Sequence, residues 1–265
     1  MLTTRRVLFL LTLALLALSA VGGARAESAG MLRVGTYLDN KPWQFRDVDG
    51  RIVGFEVDMV DYIASHLGVR VEVAQMPFRE LFGALEQNHI DIAMSSISVT
   101  SERRARFDFT QPYFDTTQAV VVLKTSRIRN LAGLAGKTVS VIPCTTSDLW
   151  VEVNKGRYRI GRVVPAVGLD EGLDNISSGK ADAHIGDLPA LLYRLLKRTD
   201  LAVVTRLPTD ERYALMLAKG SPLTAKVDGL VSQMKQDGTL ARIHEKWFGI
   251  PPESTSSVVR VTPRP

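Results

Sequence analysis

The sequence predicts an α/β protein that is built as two lobes. Segments with helical periodicity alternate with short strand-like segments, which predicts largely parallel sheets covered by helices. The alternation runs in two series, and a weak repeat supports the division. Asp91 precedes Ser96 by the same spacing as Asp182 precedes Asp187, each time after a helix. Each lobe would then carry a polar residue at the carboxyl end of an equivalent strand, where open α/β sheets bind ligands.

The first series contains three strands and two helices. Its strands are predicted at 31–37, 69–74 and 90–95, and its helices at 55–67 and 78–85. The first of these helices has Val57, Val60 and Ile63 at helical spacing, and Gly68 ends it. Asp47 to Gly50 is typical of a hairpin turn. A calcium loop would need a ligand spacing and a terminal Glu that this stretch lacks.

The second series is longer and ends in a tail without periodicity. Its strands are predicted at 119–123, 138–142, 163–167, 181–185, 201–204 and 213–218. Its helices are predicted at 145–153, 169–177, 188–196, 223–234 and 240–247. The tail after Gly249 is rich in Pro, Ser and Thr, so residues 251–265 are expected to be disordered.

The first 26 residues resemble a cleaved signal peptide. Arg5 and Arg6 precede an apolar run from Val7 to Val21, and Ala24-Arg25-Ala26 fits a cleavage site. The run is short for a membrane span, which needs ~20 apolar residues. The arginine pair also fits a twin-arginine signal, so two export routes stay open. We expect an exported protein located in the periplasm.

Composition excludes several classes of protein. The chain has 33 basic and 28 acidic residues, and three basic residues lie in the predicted signal peptide, so the mature chain has a net charge of only +2. The sequence has no stripe of basic residues, so its charge pattern does not predict nucleic-acid binding. Cys144 is the single cysteine, which excludes an intrachain disulfide. The four His residues are scattered, and we expect neither a metal nor a cofactor.

The stretch from Ile90 to Arg106 carries the most chemistry. A strand pattern leads into Ser95, Ser96 and Ser98, and Thr100 or Ser101 can cap a following helix. Hydroxyl groups, free backbone N–H groups and Arg103 together can grip a carboxylate in two-pronged fashion. The alternative is a polar turn with a solvated arginine.

Several motifs in order resemble the polar amino-acid type of extracytoplasmic solute-binding protein, family 3. They are GFEVDM (54–59), IDIAMSSISVTSERR (90–104), FDFTQPY (107–113), LAGKTVSV (134–141), GKADAHIGDLPALLY (179–193) and DGTLARIHEKWFG (237–249). The resemblance covers Met31 to Gly249. It implies a monomeric receptor that binds an amino acid and delivers it to the membrane permease of an ABC importer.

The resemblance also implies a fold, the two-lobed periplasmic-binding-protein type II fold with two hinge strands. The first lobe would comprise residues 27–118 and 217–250, and the second lobe residues 125–206. The hinges would be residues 119–124 and 207–216. The lobes would close on the ligand.

Residue roles follow from the same resemblance. Arg103 would hold the ligand α-carboxylate, and Ser96 and Ser98 would add backbone and hydroxyl contacts. Thr145 and Thr146 would offer N–H groups at a helix start, which suits an anion. Helix capping is the alternative role for both threonines.

The remaining roles concern the ammonium group and the side chain of the ligand. Asp187 would pair with the α-ammonium, although Asp before Leu188-Pro189 also suits a helix cap. Phe78 would form an apolar wall, or it belongs to the core.

The chain departs from the family pattern at several positions. Asn40 stands where relatives often stack an aromatic ring, and Tyr37 or Trp43 could replace that ring. Tyr37 also stands where receptors for cationic amino acids often carry an acid. Cys144 replaces a usual Gly, so the loop before the second-lobe helix is expected to differ in shape.

Two other functions compete with the receptor. The fold also resembles cyclohexadienyl dehydratase, which needs a general acid. A Glu is expected there at position 190, where this chain has Ala190, although Asp39 or Asp148 could serve. A solute sensor that is not coupled to transport is the second alternative.

Overall fold

The computed structural model describes residues 30–265, so the predicted signal peptide lies outside the described residues. The strands are β1 (Met31–Thr36), β2 (Phe45–Arg46), β3 (Ile52–Val53), β4 (Arg70–Gln75), β5 (Ile92–Ala93), β6 (Phe107–Phe109), β7 (Phe114–Leu123), β8 (Thr138–Val141), β9 (Arg162–Pro165), β10 (Ala183–Asp187), β11 (Leu201–Tyr213) and β12 (Met216–Ala218). The helices are α1 (Phe55–Leu67), α2 (Glu80–Glu86), α3 (Ser101–Arg106), α4 (Thr146–Asn154), α5 (Leu169–Ser177), α6 (Leu188–Leu195), α7 (Thr224–Gln236) and α8 (Thr239–Phe248). None of these helices is long and apolar enough to cross a membrane.

The strands form two five-stranded sheets and one small hairpin. The order in the first sheet is β4-β1-β5-β12-β6, and in the second sheet it is β11-β7-β10-β8-β9. Strands joined through helices pair in parallel, as β1 does with β4 and β5, and β8 with β9 and β10. β12 in the first sheet, and β7 and β11 in the second, pair antiparallel. The two large sheets are therefore mixed, with four parallel and four antiparallel strand pairs, so the expectation of largely parallel sheets holds for only half of these pairs.

Two short segments connect the sheets. The chain leaves the first sheet after β6 and enters the second at Phe114, and it returns between Tyr213 and β12. We call the two halves the first and second lobes, after their sheets. The predicted hinge at 119–124 lies within the second sheet, whereas the one at 207–216 includes the return crossing. The limits of the lobes and hinges remain predictions.

Each sheet is buried on both faces. One face of the first sheet packs against α1, α7 and α8 around Trp43 and Phe55, and the other packs against α2 around Leu81. In the second sheet, Val151 of α4 covers one face, while α5 and α6 cover the other with Leu173 and other side chains. The carboxyl ends of strands from both sheets meet at the candidate site.

The tail is ordered and packed, contrary to the expectation that residues 251–265 are disordered. Val258 is only 2% exposed and belongs to the first-lobe core. The backbone N and Oγ of Ser257 donate to the Asp115 carboxylate at 2.6 and 2.5 Å. The Lys235 Nζ donates to the carbonyl oxygen of Arg260 at 2.9 Å. Composition misses such a segment because two neighbouring apolar residues, Val258 and Val259, and a few hydrogen bonds hold it.

Candidate functional site

The turn after β5 forms the first-lobe side of the site. Ser96 has a left-handed backbone with φ 45°, and its backbone N donates to Oε1 of the buried Glu56 at 2.9 Å. The Tyr113 hydroxyl donates to the same oxygen, and the Asn40 amide donates to Ser96 Oγ at 2.8 Å. Burial raises the pKa of Glu56 to about 7, although its two hydrogen bonds act in the opposite direction. Glu56, at the start of α1, therefore fixes the shape of this turn.

Arg103 projects from α3 into the space between the lobes. The Thr100 hydroxyl caps α3 by accepting from the Arg103 backbone N at 3.1 Å, as predicted. The guanidinium donates to the carbonyl oxygen of Ser98 at 2.8 Å and to that of Cys144, in the second lobe, at 3.0 Å. Its Cζ lies 5.7 Å from the centre of the Phe78 ring. Burial lowers the pKa of Arg103, and Asp187 and other nearby acids counteract this.

The start of α4 forms the opposite side of the site. Thr145 caps the helix, because its Oγ1 accepts from the Asp148 backbone N at 3.2 Å. The Thr146 Oγ1 donates to Glu211 at 2.8 Å. Cys144 adopts the left-handed conformation, with φ 66°, that favours the Gly it replaces. The N–H groups of Thr146 and Ser147, which precede the capped Asp148, have no partner within the helix, so they are available to an anion.

Asp187 ends β10 and does not cap α6. The Asp187 side chain forms no capping hydrogen bond, although Pro189 lies in the first turn of α6, as a capping role for Asp187 would predict. Instead, the Tyr213 hydroxyl donates to Asp187 Oδ2 at 2.6 Å. Burial and, to a lesser extent, the charge of Glu211 raise the pKa of Asp187 to about 7, while Tyr213 and Arg103 oppose the shift. The carboxylate is therefore placed where a cation would stabilise it.

Glu211 connects the two lobes, and the sequence analysis missed it. Its Oε2 accepts from Ser98 Oγ at 2.7 Å in the first lobe and from Thr146 Oγ1 at 2.8 Å in the second. Its Oε1 accepts from the Gln118 amide at 2.5 Å. Glu211 lies in β11 beyond the strand predicted at 201–204 and within the hinge predicted at 207–216, but no motif marked it as a site residue.

These elements surround a cavity between the lobes. Every predicted site residue lines the cavity. They are Asn40, Phe78, Ser96, Ser98, Arg103, Thr145, Thr146 and Asp187. The structure brings them together, and their roles toward a ligand remain predictions.

Other lining residues were not predicted as site residues. They are Tyr37, Ser95, Ile142, Ser147, Leu169, His184, Ile185, Gly186 and Ala190. Tyr37 was considered as a substitute for the aromatic ring at Asn40 and as the position where receptors for cationic amino acids often carry an acid. Trp43, the other candidate for that substitution, is fully buried among Phe55, Phe114 and other core rings and does not line the cavity.

The acids considered for catalysis do not line the cavity. Asp39 and Asp148 are absent from its lining, and Ala190 stands at the position where a dehydratase would have Glu. The carboxylate of Asp148 instead accepts from the Cys144 backbone N at 3.0 Å. Within residues 30–265, no group of three or more His, Cys, Asp or Glu side chains is arranged to hold a metal ion.

The lobes touch at more than one place around the cavity. The Arg194 guanidinium of α6 donates to the backbone carbonyl of Asp39 in the first lobe at 2.5 Å. Arg103 reaches Cys144, as described above. A Cβ atom added to Gly168 would lie 1.7 Å from the Tyr37 hydroxyl oxygen. Gly168 therefore lets the tyrosine of one lobe pack against the backbone of the other.

Comparison with curated proteins finds relatives that are named for amino-acid binding. The chain is 32% identical over 219 residues to the amino-acid-binding protein AabA of Dichelobacter nodosus, covering 80% of this chain and 85% of AabA. It is 28% identical over 232 residues to the L-cystine-binding protein TcyJ of Escherichia coli K12, covering 85% of each chain.

Solved structures share the fold. An ancestral arginine-binding protein bound to arginine aligns with a TM-score of 0.79 at 34% identity, covering 84% of this chain and all of that one. ArtJ, the arginine-, lysine-, histidine-binding protein of Geobacillus stearothermophilus, aligns at 0.77 and 28%, covering 84% and 97%. The sequence profile of one family matches residues 32–250. The chain therefore belongs to the bacterial extracellular solute-binding proteins, family 3.

Proposed function

We propose that this chain is an exported receptor that binds an α-amino acid between its lobes and presents it to the permease of an ABC importer. The observation that carries the proposal is the position of Arg103 and Asp187. They come from opposite lobes and line one cavity. An amino acid has one anionic and one cationic group at its α-carbon, and these two side chains match them.

The carboxylate end of the ligand would lie between Arg103 and the start of α4. A guanidinium binds a carboxylate through two parallel hydrogen bonds, and the rings of Phe78 and Phe82 back its plane at 5.7 and 5.4 Å. The N–H groups of Thr146 and Ser147 open α4 beside the cavity. A helix start favours an anion.

The ammonium end would lie against Asp187. Burial raises the pKa of this carboxyl group, so a nearby cation favours its ionised form. The side chain of the ligand would then extend along the apolar part of the cavity, which includes Phe78, Ile142 and Leu169.

A ligand that contacts both lobes binds the closed state better than the open state, so it shifts the population toward closure. A permease would recognise the closed shape. The names of the relatives support amino-acid binding, since AabA, TcyJ and ArtJ are named for the amino acids that they bind, and the family is described as extracellular. They are binding proteins, so we propose no reaction at this site.

The test is a thermal-shift screen of the refolded, ligand-stripped mature chain against amino acids, dicarboxylates and prephenate. A ligand present at 100 times its Kd should stabilise the protein by about 2.7 kcal/mol. The variants are Arg103→Ala and Asp187→Asn. Their matched controls are Arg104→Ala and Asp210→Asn, because both of these side chains are exposed.

We expect an α-amino acid to shift the wild type and both controls, and the two site variants to lose the shift. A shift by an acid that lacks an ammonium group, with none from amino acids, would contradict the role of Asp187. Turnover of prephenate would contradict the receptor proposal as a whole.

A further inference from the structure

The hydrogen bonds of Glu211 fix where the protons of two cavity hydroxyls point. Ser98 Oγ and Thr146 Oγ1 both lie within 2.8 Å of the same oxygen, Oε2 of Glu211. A carboxylate only accepts, and a hydroxyl has a single proton to donate. Both hydroxyls therefore direct their protons at Glu211 and away from any ligand.

The two hydroxyls differ in the hydrogen bonds that they can still form with a ligand. Thr146 Oγ1 also accepts from the Gln118 amide at 2.9 Å, so it both donates and accepts within the protein. Ser98 Oγ has no second partner of this kind among residues 30–265, and Ser98 lines the cavity. Its oxygen can therefore accept a hydrogen bond from a ligand but cannot donate one.

We infer that Glu211 is a positioning residue, which holds the Ser98 hydroxyl as a hydrogen-bond acceptor for the α-ammonium of the ligand, and not for the carboxylate contact that the family resemblance implies for Ser98. The inference rests on the proposed function and adds a residue that does not itself line the cavity. An ammonium group has three protons, so it needs acceptors besides one carboxylate. Ser98 supplies one such acceptor because its own hydroxyl proton is engaged in the hydrogen bond to Glu211.

The electrostatics agree with this role. After burial, the negative charge of Glu211 is the largest cause of the raised pKa of Asp187, so the two acids lie close enough to interact. A cation placed between Asp187 and Ser98 would be attracted by both carboxylates. A ligand carboxylate in the same place would be repelled by both.

An alternative role for Glu211 is a staple that joins the lobes, since it bonds to Ser98 in one lobe and Thr146 in the other. The two roles predict different losses of ligand affinity when Glu211 is replaced. A staple acts on closure, and so its removal weakens every ligand that needs closure by the same factor. Removal of a positioning residue weakens the binding of only those ligands that carry the α-ammonium.

The test compares the wild type with Glu211→Gln, which keeps the shape of the side chain but replaces one acceptor oxygen with a donor. Asp210→Asn is the control, because it removes an exposed carboxylate from the neighbouring residue. Two probes are titrated by calorimetry. One is the standard L-amino acid that gives the largest thermal shift, and the other is the carboxylic acid with the same side chain and no α-ammonium.

Glu211→Gln should raise the Kd of the amino acid by about 10- to 100-fold, the cost of a lost hydrogen bond to a charged group. The Kd of the acid without the ammonium should change by less than about threefold, and Asp210→Asn should change neither. An equal increase in Kd for both probes would overturn the inference and show that Glu211 acts as a staple that joins the lobes.

A double-mutant cycle with Ser98→Ala gives a second, independent readout. On the Ser98→Ala background, Glu211→Gln should weaken amino-acid binding by less than about threefold, because the hydroxyl that it positions is absent. Additive losses would overturn the inference even where the second probe binds too weakly to titrate. If no amino acid binds the wild type, the proposed function fails and this inference falls with it.

Discussion

Glu56 makes the stability of this protein depend on pH in the direction opposite to that of most acids. It is fully buried, and its Oε2 has no hydrogen-bond partner within residues 30–265. Burial raises its pKa from 4.5 to about 7. Between these values the folded state keeps a proton that the unfolded state has released. The stability that Glu56 contributes is therefore full below pH 4.5 and is lost as the pH rises to about 7.

The magnitude follows from the size of the shift, because one pKa unit corresponds to about 1.36 kcal/mol, so the loss is about 3 kcal/mol. His184 has the opposite effect. Burial lowers its pKa to about 4, so its contribution to stability increases as the pH rises from 4 to 6.5. The measurement must therefore be a difference between wild type and a Glu56 variant, in which the effect of His184 cancels.

The variant is Glu56→Gln, which keeps an oxygen for the Ser96 backbone N and the Tyr113 hydroxyl but does not titrate. Urea unfolding is followed by tryptophan fluorescence, to which the buried Trp43 contributes. Between pH 4.5 and 7.5 the wild type should lose about 3 kcal/mol relative to the variant. A difference that is constant over this range would refute the reasoning, since Glu56 would then be ionised in the folded protein.

Three further predictions concern ligand binding and the tail. The Kd of the amino acid should rise as the pH falls below about 7, because Asp187 becomes protonated, and Asp187→Asn should give a flat profile in the same titration. Arg103→Lys should weaken binding by about 10- to 100-fold, because an ammonium lacks the fork of a guanidinium, whereas Arg104→Lys should leave the calorimetric Kd unchanged. Deleting residues 251–265 should destabilise the fold by about 2 kcal/mol or more, from the burial of Val258 alone, and an unchanged urea midpoint would contradict this.

Local signals in the sequence predicted the elements that depend on local physics. Helix α1 begins and ends where its apolar periodicity and Gly68 indicated, and the left-handed Gly68 follows its last turn. Thr100 caps α3 through the bond that capping residues form. The hairpin at Asp47 to Gly50 also formed, as β2 and β3. These features depend on a few neighbouring residues, so the sequence carries them directly.

Features that depend on distant partners were not predictable in the same way. Strand β11 extends to Tyr213 because β7 provides a partner along its length. The stretch from Thr205 to Arg212 has too many polar residues to show a strand pattern of its own, and only the family resemblance predicted a hinge strand at 207–216. The contacts of Glu211 with Ser98 and Thr146 depend on that extension of β11. Glu56 stood in a recognised motif, but its bond to Ser96, 40 residues away, is not visible in any local pattern.

The charges of the site explain why closure should depend on the ligand. Between the lobes, burial lowers the pKa of Arg103 and raises that of Asp187, so each charged form is destabilised by loss of water. In the proposed binding mode, an amino acid would bring a carboxylate to the first and an ammonium to the second, which would offset both penalties at once. A ligand with only one of these charges offsets one penalty and leaves the other. The proposed preference for a zwitterion thus rests on desolvation as well as on contact, and we expect the lobes to close when an amino acid binds.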